Sequence, residues 1–226
     1  MRTRKKSYTT DELSNNTHIL HAPADNKGKW SEHFKNSNPI YIEIGCGKGS
    51  FVDKLSHRET DINFVALERE REVIVMGAKT YREQKEVGEH NGTINFILGD
   101  ATNLLDYFAP KEVSRIYLNF SDPWPFRKKW AKRRLTHKNF LDIYKQILTD
   151  SGEIHFKTDN LPLFEFSLNE FSKENWSMKN IALDLHSSEF HTSGENIMTE
   201  YEQKFSAKGM NIFRLEASFR GYDNEK

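Results

Sequence analysis

Short apolar runs alternate with amphipathic stretches from residue 39 almost to the end of the chain. Seven runs have the length and composition of buried strands: residues 40–44, 63–67, 94–98, 115–120, 152–157, 176–183 and 212–218. Helical spacing of apolar residues falls between them, at 50–57, 70–85, 103–108, 136–148 and 161–171. This alternation predicts an α/β fold with one mostly parallel, seven-stranded sheet and helices on both faces.

The two ends of this pattern are less regular. Residues 1–38 are polar and begin with Arg2, Arg4, Lys5 and Lys6, so we expect a mobile basic N-terminal arm before a single domain spanning 39–226. The segment 27–30 is where the arm is expected to pack back on the body. Residues 186–209 read as a polar connection before the last strand.

Composition narrows the class of protein. The 226 residues contain 33 basic and 33 acidic side chains, so any footprint for nucleic acid must be local. One cysteine excludes an internal disulfide, and histidines without a cysteine pair give no zinc motif, so no metal is expected. No apolar run reaches membrane-spanning length and no signal peptide is visible, which favours a cytoplasmic protein.

A glycine-rich turn follows the first predicted strand, in the form E-x-G-x-G-x-G. Gly45 and Gly47 permit a tight turn and close approach of a ligand to the backbone. The acid Glu43 would repel a pyrophosphate and attract a cationic ligand. The turn therefore favours S-adenosylmethionine over NAD, although a plain strand–helix turn has the same glycines.

Acids also end the next strands. Glu68 stands where a carboxylate accepts both hydroxyls of a ribose, or stabilises a helix N-terminus. Asp100 could accept a hydrogen bond from an adenine amino group, and capping of the next helix is at least as good an explanation. With Glu43 and Asp122, four acids lie at the carboxyl ends of the first four strands, at the sheet edge where ligands bind in open α/β folds.

The segment 119–134 is the most distinctive in the chain. Asp122 follows an apolar strand within Ser-Asp-Pro-Trp-Pro, and six cations follow within eight residues. A carboxylate next to a dense basic patch suggests an active site for a polyanion, because the cations can bind phosphates. The alternative is a solvated charge run after a turn.

These motifs resemble the bacterial tRNA (guanine-N7-)-methyltransferase family, especially its Gram-positive members. The resemblance spans nearly the whole chain. It depends on segments 42–49, 64–68, 120–125 with 132–136, 156–160 and 199–205, and it is most specific in S-D-P-W, K-R-R and T-E-Y-E. It implies a Rossmann-like class I S-adenosylmethionine-dependent methyltransferase fold and methylation of a guanosine in the tRNA variable loop.

The resemblance also implies roles for individual residues. Asp122 would be catalytic. The cofactor would bind at Glu43, Gly45, Gly47, Glu68, Asp100 and Asp122. The guanosine would contact Phe126, Arg127, Asp159, Thr199, Glu200, Tyr201 and Glu202. Independently of the resemblance, the basic run itself is expected to hold the tRNA backbone, at Lys128, Lys129, Lys132, Arg133 and Arg134. The sequence departs from the family at Phe126, where a lysine is usual, so Arg127 or a stacking aromatic takes that role.

The chemistry expected here needs no general base, because guanine N7 carries a free lone pair. The partner is tRNA, with no membrane and no obligatory protein partner, and a monomer and a homodimer both stay open. Three alternatives remain at this stage: a methyltransferase for a small molecule, a non-catalytic RNA-binding module, and a nicotinamide oxidoreductase.

Overall fold

The computed structural model describes residues 8–125 and 127–219. The chain divides into two compact units, the first ending at Phe108 and the second beginning at Ala109. Each contains strands that alternate with helices along the chain, as the alternating pattern predicts.

The first unit is a four-stranded parallel sheet with the order β1-β4-β3-β2. Its strands are β1 (Ile19–Leu20), β2 (Ile40–Ile44), β3 (Asn63–Glu68) and β4 (Thr93–Leu98). Its helices are α1 (Tyr8–Asn15), α2 (Trp30–Phe34), α3 (Ser50–Arg58), α4 (Arg71–Glu86) and α5 (Leu104–Tyr107), with 3-10 turns at Pro23–Asn26 and Ala101–Asn103. Since the strands are parallel, the residues that follow β2, β3 and β4 emerge at one edge.

Residues 8–38 carry elements that the polar sequence did not reveal. Trp30 is fully buried, its indole nitrogen donates to the Tyr107 carbonyl at 3.0 Å, and its ring stacks on Phe108 at 5.2 Å. The expected contact of segment 27–30 with the body is thereby confirmed. Residues 1–7, which hold the basic cluster of the predicted arm, lie outside the described residues.

The second unit has the strand order β5-β6-β8-β7, parallel between β5 and β6 and antiparallel thereafter. Its strands are β5 (Val113–Asn119), β6 (Leu148–Thr158), β7 (Ser177–Ala182) and β8 (Phe213–Ser218). Its helices are α6 (Lys128–Ala131), α7 (Lys138–Ile147), α8 (Leu161–Lys173), α9 (Glu189–Thr192) and α10 (Glu200–Ser206), with a 3-10 turn at Leu185–Ser187. The segment expected to be a polar connection therefore contains two short helices.

The described residues contain eight strands, so the prediction of seven was one short. The additional strand is β1, whose two residues are too few to leave a period in the sequence. Helix α7 was predicted to begin at Thr136, but His137 caps it by accepting from the Asn139 amide at 3.2 Å. Thr136 is instead buried, 2.7 Å from the Ser167 hydroxyl. No described helix is both long enough and apolar enough to cross a membrane.

Candidate functional site

The glycine loop after β2 is held by its neighbour strand. The amides of Gly45 and Cys46 both donate to the Leu67 carbonyl, at 2.8 and 3.1 Å. Gly45 and Gly47 have φ angles of +76° and +58°, which favour glycine, and no atom lies within 4 Å of the place where either Cβ would be. The loop therefore presents backbone to open space.

Helix α4 approaches this loop at Gly77. A Cβ there would lie 2.2 Å from the Lys48 carbonyl oxygen, so a larger residue would push the helix off the loop. A glycine inside a helical pattern was the only sequence signal of this contact.

The three acids of the first unit that are predicted to bind the cofactor differ in exposure. Glu43 is buried, Glu68 is partly exposed and Asp100 is exposed. Burial, followed by the negative charges of Glu43 and Glu68, raises the pKa of the Cys46 thiol well above its usual range. The loop is thus an anionic environment that suits a ligand carrying ammonium and sulfonium charges.

Glu68 and Asp100 also accept hydrogen bonds from nearby groups of the chain. This agrees with the structural alternatives given above, stabilisation of a helix N-terminus by Glu68 and capping by Asp100. Glu68 accepts from the Gly47 amide at 3.0 Å and from the amides of Arg69 and Glu70 at 2.8 and 3.0 Å. Asp100 accepts from the amide and the hydroxyl of Thr102, at 2.9 and 2.8 Å. Both carboxylates therefore stabilise the loops in which they lie, and their binding of a ligand remains a prediction.

In the second unit, the segment after β5 is conformationally unusual. Phe120 and Trp124 have φ angles of +52° and +45°, which bulky residues rarely adopt. They flank Asp122, whose side chain is exposed. Such strain persists only where surrounding contacts impose it, and it clusters at functional sites.

The cations that follow this loop differ in how far they are buried. Arg127, Lys129, Lys132 and Arg133 are exposed, whereas Arg134 is 2% exposed. The Arg133 guanidinium lies 4.8 and 4.5 Å from the ring centroids of Trp124 and Trp130, which stack on each other at 5.4 Å. Phe126 and the side chain of Lys128 lie outside the described part of the chain.

The ends of β6 and α10 bring further candidate substrate residues together. The Tyr201 hydroxyl donates to Asp159 Oδ2 at 3.2 Å, and the exposed Tyr201 ring stacks on Phe205 at 4.1 Å. Thr199 is the N-cap of α10, accepting from the Glu202 amide at 2.9 Å, and Glu200 is exposed in its first turn.

Glu202 differs from these neighbours because it is fully buried. Its carboxylate accepts from Lys157 Nζ and Asn196 Nδ2, both at 2.7 Å, and lies 3.0 Å from His186 Nε2. Burial alone would raise the pKa of Glu202, but the charge and hydrogen bond of Lys157 bring it below its usual value. Sequence reasoning placed Glu202 on the substrate and gave Lys157 no role; an isolated lysine at the end of a buried strand was the available signal.

Two groups of donor side chains in the described residues could be considered for a metal: Asp53, His57 and His90, and Glu153, His155 and Glu216. In the second group Arg115 lies 2.8 Å from Glu153, and Arg214 bonds Glu216, so positive side chains already neutralise the acids. In the first group His90 Nε2 already lies 3.2 Å from both Asp53 and the Ser56 hydroxyl.

Comparison with known proteins gives a consistent result. A family model described as "Putative methyltransferase" matches residues 37–215. The chain is 49% identical over 220 residues to the tRNA (guanine-N(7)-)-methyltransferase of Clostridioides difficile (strain 630), covering 97% of this chain and 99% of that one. It is 50% identical over 192 residues to the enzyme of the same name from Brevibacillus brevis, covering 85% and 86%.

Among solved structures, the fold is similar to that of an antibiotic-related methyltransferase. The TM-score is 0.58 at 12% identity, over 84% of this chain and 92% of the other. At that identity the likeness concerns the fold alone, and it agrees with the class predicted from the sequence.

Proposed function

The chain belongs to the tRNA (guanine-N(7)-)-methyltransferase family, and from this premise we propose that it methylates N7 of a guanosine in the variable loop of tRNA. The observation that supports the proposal is the near-full-length match to an enzyme of that name, with 49% identity over 97% of this chain. The family assignment removes the nicotinamide oxidoreductase from consideration.

The first unit fits S-adenosylmethionine in charge and in space. Its loop offers open backbone at Gly45 and Gly47, and Glu43 and Glu68 make the surroundings anionic. Glu68 and Asp100 would accept from hydroxyl and amino groups of the adenosine. When bound, S-adenosylmethionine supplies a methyl group on a positively charged sulfur.

The second unit carries the residues proposed for the tRNA. Exposed cations after the Asp122 loop would bind phosphates, which give affinity and salt dependence without base choice. Asp159 and Tyr201, already bonded to each other, would receive the guanine by hydrogen bonding and stacking. The variable loop suits this mode because unpaired bases can leave the stack.

The methyl transfer itself requires no proton transfer by the enzyme. Guanine N7 forms a bond to the methyl carbon with its own lone pair while the carbon–sulfur bond breaks, and no proton leaves. Positive charge grows on the guanine ring as it disappears from sulfur. Asp122 is proposed to stabilise that charge as a fixed carboxylate, and alignment of the reactants supplies much of the rate enhancement.

The direct test is incubation of the purified protein with unmodified tRNA transcripts and methyl-labelled S-adenosylmethionine, followed by nucleoside mass spectrometry. The expected product is 7-methylguanosine, and digestion with a base-specific nuclease should place it in the variable loop. Label in another nucleoside would contradict the proposed atom, and 7-methylguanosine elsewhere in the tRNA would contradict the proposed position. Transcripts with adenosine at the target guanosine are the matched control.

A further inference from the structure

The three consecutive cations Lys132, Arg133 and Arg134 occupy different environments. Lys132 and Arg133 are exposed, and Arg134 is 2% exposed. Burial lowers the pKa of Arg134 below its usual value. An arginine side chain nevertheless stays charged in proteins. A buried charge needs fixed hydrogen-bond acceptors, so the contacts of Arg134 identify its task.

Those contacts are made to the loop that carries Asp122. Arg134 Nε donates to the Pro123 carbonyl at 2.8 Å, and Nη2 donates to the Trp124 carbonyl at 3.1 Å. The two acceptors are consecutive and begin immediately after Asp122. The guanidinium carbon, Cζ, lies 4.3 Å from the ring centroid of Phe166, on helix α8.

The loop needs such support. Trp124 adopts a φ of +45°, an unfavourable conformation for a bulky residue. Pro123 has no amide hydrogen, so it cannot donate to a backbone partner here. The planar fork of arginine spans two adjacent carbonyls, and the ammonium of lysine lacks that geometry.

We propose that Arg134 is a positioning residue for Asp122, holding the backbone of Pro123 and Trp124, and that it does not serve as a ligand of tRNA phosphate. This inference rests on the proposed function, because it assumes that Asp122 acts on the bound guanosine. It replaces the assignment of Arg134 to the tRNA backbone, which followed from its place in a basic run.

The test compares Arg134→Lys and Arg134→Gln with Lys132→Gln, a neighbouring exposed cation. For each, kcat and KM for tRNA are measured, together with the slope of log Kd against log salt. If Arg134 positions Asp122, both Arg134 variants should have a kcat about 10- to 100-fold below that of wild type, because a small displacement of a catalytic group costs that much. The salt slope should stay at the wild-type value in Arg134→Lys.

The Lys132→Gln variant should show the opposite split, with kcat retained and the salt slope reduced by about 0.7–0.9, as for one lost phosphate contact. The proposal is overturned if Arg134→Lys has wild-type kcat, or if Arg134→Gln reduces the salt slope as Lys132→Gln does while kcat is retained. Wild-type methylation of tRNA, measured in parallel, tests the proposed function separately.

A second measurement does not depend on activity. Hydrogen exchange of the free protein should be faster at the amides of Ser121, Asp122 and Trp124 in Arg134→Lys, with strand β5 unchanged. Unchanged exchange at those amides would also overturn the proposal. Thermal unfolding shows whether each variant is folded. Arg134→Lys keeps the positive charge and is the milder substitution, so it carries the test if Arg134→Gln does not fold.

Discussion

Lys157 Nζ lies 2.7 Å from Glu202 Oε2, and both side chains are buried. This ion pair joins the end of strand β6 to helix α10, and Lys157 Nζ also donates to the Ile197 carbonyl at 2.9 Å. The strand leads to Asp159 and the helix carries Tyr201, so the pair fixes the two substrate candidates that hydrogen-bond each other.

The Lys157–Glu202 pair predicts a dependence of stability on pH. The pKa of Glu202 is lower in the folded protein than its ordinary value of 4.5. Between the two values the unfolded chain binds more protons, so the free energy of unfolding decreases as pH falls below about 4.5 and through the folded value. Above the ordinary value the contribution is fully present. Chemical denaturation at pH 7 and at steps below pH 4.5 measures this dependence.

Glu202→Gln should be less stable than wild type at pH 7 and should lose part of the acid dependence, because removal of one partner leaves Lys157 buried and charged. The matched control is Glu200→Gln, an exposed acid on the same helix, which should follow the wild-type curve. Identical pH curves for wild type and Glu202→Gln would contradict the role assigned to this pair.

Glu68 should govern cofactor affinity. Glu68→Gln keeps the size of the side chain and removes the charge, so we expect the Kd for S-adenosylmethionine to rise about 10- to 100-fold, the usual range for a charge-assisted hydrogen bond. Calorimetric titration of the free protein measures it. The control is Glu70→Gln, two residues away and exposed, which should bind as wild type does. Equal Kd values in Glu68→Gln and wild type would exclude Glu68 from the cofactor site.

Tyr201 allows stacking to be separated from hydrogen bonding. The residue is 42% exposed, and its hydroxyl donates a hydrogen bond to Asp159 Oδ2 at 3.2 Å. Tyr201→Ala should raise the KM for tRNA about 5- to 150-fold, since stacking of a base on an aromatic ring contributes roughly 1–3 kcal/mol. Tyr201→Phe keeps the ring and should have a much smaller effect. Equal effects of both variants would indicate that the hydroxyl, and not the ring, is required.

Local patterns in the sequence were sufficient for much of the fold and for part of the candidate site. Apolar runs such as 40–44 and 63–67 predicted β2 and β3, because a parallel strand that is buried on both faces carries apolar residues on both. The glycine loop was identifiable because the backbone conformation that favours glycine is a local property, whereas cofactor binding by Glu68 stays a prediction. Strand β1 was missed because two residues carry no period.

Residues whose roles depend on distant partners could not be predicted. Arg134 is indistinguishable in sequence from Arg133, and only burial against Phe166 and the bonds to Pro123 and Trp124 separate them. Glu202 is likewise indistinguishable in sequence from Glu200, the other acid of T-E-Y-E, although only Glu202 pairs with the buried Lys157, 45 residues away in sequence. Charged side chains reveal their environment only when the elements that surround them are assembled.

Asp122 gives the sharpest test of the mechanism. Asp122→Asn preserves shape and removes the negative charge proposed to stabilise the guanine ring as it becomes positive. Loss of one preorganised electrostatic contact typically costs about 10²- to 10³-fold in kcat. Because Asp122 is exposed, the midpoint of thermal unfolding should change little. Single-turnover methylation of tRNA at saturating S-adenosylmethionine measures the chemical step. The control is Asp150→Asn, since Asp150 is exposed and forms a surface ion pair with Lys111 at 2.8 Å. A chemical step as fast as that of Asp150→Asn would remove Asp122 from the reaction and leave alignment of N7 with the methyl group as the source of rate enhancement.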